Sequence, residues 1–212
     1  MPGLPMLDRL TLIQWLSPAF PTGSFAYSHG LEQAMVDGAR DANAVSVWIA
    51  DVLVHGGGWT DAVLLALTLR GAEADETADL ARALAGSAER LRETLDQGRA
   101  FAATVSALGQ PVPALPLPVA VGVAARRLDL PEPEIIAHYL HGFAANLVSA
   151  ATRFLPLGQA QAQGILAGLH GQIAEVASRA ALTGPDDLTT SCLAAELAAM
   201  RHETLDVRIF RT

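Results

Sequence analysis

Most of the side chains with which this chain of 212 residues could do chemistry sit in a loop near its start and in six histidines and one cysteine. The loop runs Ser17-Pro18-Ala19-Phe20-Pro21-Thr22-Gly23-Ser24-Phe25-Ala26-Tyr27-Ser28-His29-Gly30-Leu31-Glu32. Ser28 beside His29 raises the question of a nucleophilic hydrolase, which needs a serine, a base and an oxyanion site in register. Sequence neighbours rarely meet that geometry and no GxSxG occurs, so Ser28 reads as a cap for a helix starting near Gly30. His138 and His141 lie three apart, on one face of a helix, where two imidazoles can share a cation. Two ligands alone do not complete a site, and a pair of partly buried, hydrogen-bonded histidines is the competing reading. Glu32 and Glu203 are the carboxylates best placed for acid–base work, against which stand ion pairing and capping. Cys192 reads as a small buried thiol.

The other end is equally distinctive: Met200-Arg201-His202-Glu203-Thr204-Leu205-Asp206-Val207-Arg208-Ile209-Phe210-Arg211-Thr212. Guanidinium groups suit bidentate pairing with carboxylates, and a phenyl ring among them suits a pocket. Ordinary termini fray. An Ile-Phe pair set between arginines instead reads as a docking tail.

Composition removes several classes of function. Every one of the 14 basic residues is arginine, so the phosphate-binding lysine of a P-loop and Schiff-base chemistry are both absent. A formal charge of −8 opposes a nucleic-acid surface. One cysteine excludes a disulfide framework and a CxxC pair. Residues 1–8 show no basic region followed by a long apolar run, and a cytoplasmic location is expected. The charge-free stretch 100–125 is interrupted by four prolines, and 135–152 carries His138, His141 and Asn146, so neither is read as a membrane span.

The elements that must position these residues are helical throughout. Leu7, Leu10, Ile13 and Leu16 fall at helical spacing, and Ser17-Pro18 ends that segment. Asn43 is a candidate N-cap for 44–55, and Gly56-Gly57-Gly58 a tight corner before 60–70. Further helices are expected at 73–84, 87–108 with Ser87 as cap, 117–127, 132–154, 158–182 and 188–202. The mixed charges of 73–99 read as a solvated face rather than as catalytic carboxylates. The expectation is an all-α fold: a single compact domain of about nine or ten helices over 1–212.

The two terminal motifs resemble those of the urease accessory protein F (UreF) family. So do Asp61-Ala62-Val63, Gly98-Arg99-Ala100-Phe101, Asn146-Leu147-Val148-Ser149-Ala150 and Pro156-Leu157-Gly158. The resemblance implies a non-catalytic, dimerising maturation factor in the cytoplasm, with no stably bound cofactor and nickel at most in transit. Its implied partners are the D/H-type accessory protein, the nickel-carrying G-type GTPase and apo-urease, with no nucleic acid and no membrane. It further implies that the factor couples GTPase state to nickel insertion. The residues expected to meet partners are Phe25, Tyr27, His29, Glu32, Arg201, His202, Glu203, Arg208, Phe210 and Arg211. Arg208 is expected to act as a latch in a tail, 203–212, that orders when the D/H-type protein binds and then braces the loop. No metal site is expected; the alternative is a direct nickel metallochaperone using His29 or the His138/His141 pair.

Overall fold

Ala, Leu and Val at helical spacing, punctuated by proline and glycine, fold without any strand among the described residues. The computed structural model describes residues 5–211; residues 1–4 and 212, the ends of the expected domain, tail and targeting readings, lie outside the described residues. The helices are α1 (Pro5–Trp15), α2 (Leu31–Asp37), α3 (Ala42–His55), α4 (Gly57–Leu69), α5 (Ala74–Ala83) and α6 (Ala88–Ala107). They continue as α7 (Leu117–Ala125), α8 (Glu132–Phe154), α9 (Gln159–Gly168), α10 (His170–Ala180) and α11 (Leu193–His202). Short 3-10 turns occupy Ser24–Ala26 and Pro185–Asp187. Single residues, Gly56 and Leu169, join α3 to α4 and α9 to α10, so the eleven segments form nine helical runs.

At the axis is α4, buried at every residue from Gly58 to Thr68. Around it pack α3, α5, α7, α8 and α10, and α8 in turn supports α1, α2 and α9. The run Ala42–Leu69 has the length and apolarity of a membrane span, but its most apolar window is 78% buried inside this fold. Phe101 fixes the far side of the core, fully buried against the edge of Trp15 at 6.0 Å and against Phe20 at 5.7 Å.

Several local expectations change. The cap of α3 is Asp41, whose Oδ1 accepts from Ala44 N at 2.8 Å, and not Asn43. Ser87 does cap α6, accepting from Arg90 N. The expected helix 158–182 is broken at buried Leu169, whose amide reverts to an i−3 bond with Leu166 O. Gly168 and Gly171 on either side weaken helix continuity there. In α1 the core is met by Leu12 and Trp15, while Leu7, Leu10 and Ile13 face outward.

Candidate functional site

The loop at 17–32 is shaped by its own backbone. Ser28 Oγ accepts from Glu32 N at 3.2 Å, which helps start α2. His29 and Gly30 both take left-handed conformations, φ 52° and 74°. For a histidine this is uncommon and needs external support. That support comes from α6 and α8: His29 Nε2 lies 2.9 Å from Glu93 Oε1, and its ring packs 4.4 Å from that of Phe143. Gly30 meets α11 directly; a Cβ there would sit 2.9 Å from Ala199 N and 3.0 Å from Ala195 O. From α8, Asn146 Nδ2 donates to the carbonyls of Ser24 and Tyr27, and Arg153 donates to that of Phe25.

The C-terminal segment closes on this loop. Glu32 is the anchor, 2% exposed, with Oε1 accepting from Ile209 N at 2.8 Å and Oε2 from Phe210 N at 2.9 Å. His202, completely buried, lies between two carboxylates: Nε2 is 2.9 Å from Glu32 Oε2 and Nδ1 is 2.7 Å from Glu89 Oε2. Each ring nitrogen therefore has a carboxylate oxygen within hydrogen-bond distance. Arg208 completes the chain by donating to Glu89 Oε1. Glu203 accepts from Ala88 N and Glu89 N, satisfying the free amides at the start of α6. Phe210 is buried beneath the Arg153 guanidinium, 4.4 Å from ring centre, and Arg211 N donates to Ala26 O at 2.7 Å. Burial raises the Tyr27 hydroxyl's pKa, an effect that nearby Arg211 opposes.

Beneath the loop runs a second polar layer. Arg90 NH2 holds both oxygens of Asp61 at 2.8 Å, and Tyr139 OH donates to Asp61 Oδ2 at 2.8 Å. Burial pulls the Arg90 pKa down, but Asp61 and Glu93 outweigh it and the net shift is upward. Burial pushes Glu93 up, yet His29, Arg90 and Gln97 hold its carboxyl below the ordinary glutamate value. Tyr139 is raised well above a normal phenol by burial and by Asp61. Two cavities of about 70 and 80 Å³ flank this layer, both lined by His29, Asp61 and Arg90.

Comparison with known proteins decides the family. A family model described as UreF matches residues 39–170. The urease accessory protein UreF of Cereibacter sphaeroides (strain KD131 / KCTC 12085) is 60% identical over 205 residues, covering 96% of this chain and 98% of its own length. This chain belongs to the UreF family. The proteins of the same name from Paracoccus denitrificans (strain Pd 1222) and Dinoroseobacter shibae (strain DSM 16493 / NCIMB 14021 / DFL 12) are 54% and 47% identical to it, over 210 and 206 residues. These two matches cover 98% and 96% of this chain, and 98% of each relative.

In this UreF-family chain the residues singled out from sequence fall in four places. Tyr27, Glu32, His202, Glu203, Arg208, Phe210 and Arg211 meet where the loop, α6 and the tail converge. His29 belongs to the layer beneath, and the Phe25 side chain points outward, 67% exposed. Arg201 lies apart, making a bidentate, exposed pair with Asp37. Sequence reasoning missed Glu89 and Glu93, which it assigned to a solvated face and which are 6% and 1% exposed. The signal was present: Glu89, Glu93, Gln97 and buried Phe101 recur every four residues along one side of α6. Asp61, quoted only as part of a motif, proves to be the acceptor for Arg90 and Tyr139. His138 is half-buried, and exposed His141 faces His170 rather than a third ligand. Among the described residues no group of three or more His, Cys, Asp or Glu is arranged around a possible metal. Cys192 is buried, which raises its thiol pKa.

Proposed function

We propose that this chain is a non-catalytic factor in urease maturation, working in the cytoplasm as a homodimer that binds the D/H-type accessory protein. Through that complex it recruits the nickel-carrying G-type GTPase to apo-urease and couples nucleotide state to nickel insertion. Family membership supports the setting. The observation that carries the contact-based reading is the buried Glu32 carboxylate, which accepts two backbone amides of the tail and faces His202. Buried carboxylates spent on backbone donors hold a surface in shape and are not poised for proton transfer.

In this reading the tail, 203–212, exchanges between seated and released states, and the D/H-type partner favours the seated one. Seating fixes Ala26 and Tyr27 and so presents the outward Phe25 and its neighbours to the GTPase. Nickel passes in transit, and no cofactor is held stably. Arg208→Ala, together with a truncation after Glu203, tests the scheme by co-purification with the D/H-type and G-type proteins. Loss of the GTPase from the truncated complex, and reduced recovery with Arg208→Ala, are expected. Wild-type recovery in both eliminates the latch.

A further inference from the structure

Outside this nexus the fold brings together two imidazoles that the sequence keeps far apart. His141 lies on the outer side of α8 and His170 is the first residue of α10; both are exposed, and their ring centres are 5.5 Å apart with the planes tilted by 42°. We infer that His141 and His170 form a two-imidazole binding site for a late first-row divalent cation such as Ni²⁺, Cu²⁺ or Zn²⁺. The site goes beyond the maturation role and depends on this chain alone.

The geometry fits chelation. With metal–nitrogen bonds of about 2.1 Å, two imidazoles on one cation have ring centres about 4.5–5.5 Å apart. The observed separation lies at the wide end of that span, and both residues are exposed. Their backbones are not free: α8 and α10 pack closely against each other, so neither ligand must be brought in from a disordered segment. Little ordering entropy is then lost on binding.

Imidazole nitrogen selects the class of cation. It suits nickel, copper and zinc, whereas magnesium and calcium demand oxygen ligands. His138, one turn earlier on α8, is half-buried and completes no group of three among the described residues. With two protein ligands, the remaining coordination positions belong to water or to a second molecule. Such an open site exchanges its ion readily, unlike a closed structural centre.

Calorimetric titration of the purified, tag-free chain with CuSO₄, NiCl₂, ZnCl₂ and MgCl₂ tests this. One ion per chain is expected for the first three, copper binding most tightly, with no heat from magnesium. His141→Gln and His170→Gln should each weaken binding by about tenfold or more, and His138→Gln by less than about threefold. Electron paramagnetic resonance of the copper-loaded wild-type chain should show two coordinating nitrogens, a readout independent of any variant. Absence of uptake by the wild-type chain overturns the site. So does full affinity in the double variant, or a copper spectrum with one nitrogen or none. None of these outcomes bears on the tail scheme, which is read by co-purification.

Discussion

Replacing Glu32 by glutamine preserves shape and removes only the charge and one acceptor. In the native chain Oε1 serves Ile209 N and Oε2 serves Phe210 N and His202 Nε2. The glutamine amide group must occupy one of those positions; the less costly choice retains the oxygen that serves two partners. Its NH₂ then faces the Ile209 N–H, donor against donor. Loss of a hydrogen bond to a charged group costs about 1.5–3 kcal/mol, and a stranded donor about 1–3 kcal/mol more. A total near the lower end, about 3 kcal/mol, corresponds to roughly a hundredfold rise in the population of the released tail. Amide hydrogen exchange followed by NMR reads this directly. Ile209 and Phe210 in Glu32→Gln should exchange about a hundredfold faster than in the native chain, while core amides such as Leu140 and Leu147 keep their rates. Unchanged protection at Ile209 and Phe210 would refute the assignment of Glu32 as the tail's anchor.

Two further variants probe what lies beneath. In Gly98→Ala the new methyl would fall 1.9 Å from Leu115 O and 2.8 Å from Leu117 N, so α6 must be pushed away from the start of α7. A cost of about 3 kcal/mol lowers Tm by about 6–12 °C in a chain of this size, measurable by calorimetry; an unchanged Tm would contradict the close approach. For Glu93, the folded carboxyl is held below the usual 4.5. Its ionised form therefore contributes stability in full above that value, and the contribution is lost as pH falls through the lowered folded pKa. Denaturant unfolding should show Glu93→Gln less stable than the native chain near neutrality, with the gap narrowing below about pH 4.5. A gap constant across the acid range would remove the ionised glutamate as its source.

Helix identity was legible wherever proline and capping residues bound a clear apolar period. The segment 132–154 coincides with α8, and Ser87 caps α6 as its type and place predict. Faces were less legible. Leu7, Leu10 and Ile13 share a period that Leu12 and Trp15 override, because an apolar stripe does not say which side meets the core. At the site, the end motifs announced Glu32 and the arginines through unusual residue types. Glu89 and Glu93 were hidden among arginines and acids of like appearance, and only packing removes them from water. The histidines show the same limit: sequence proximity offered His138 beside His141, and only the fold adds His170 opposite His141. Pairings made across a fold leave no local trace.

The bond from Phe210 N to Glu32 spans 178 positions, and α11 rests on the bare backbone of Gly30. In a polypeptide emerging from the ribosome N-terminus first, the loop at 17–32 therefore lacks these contacts until residues 209–211 have been made. Helices in between have time to condense first, and the aromatic bend takes the form described above only afterwards. A fragment that stops short of Ile209 thus lacks the contacts that seat the loop.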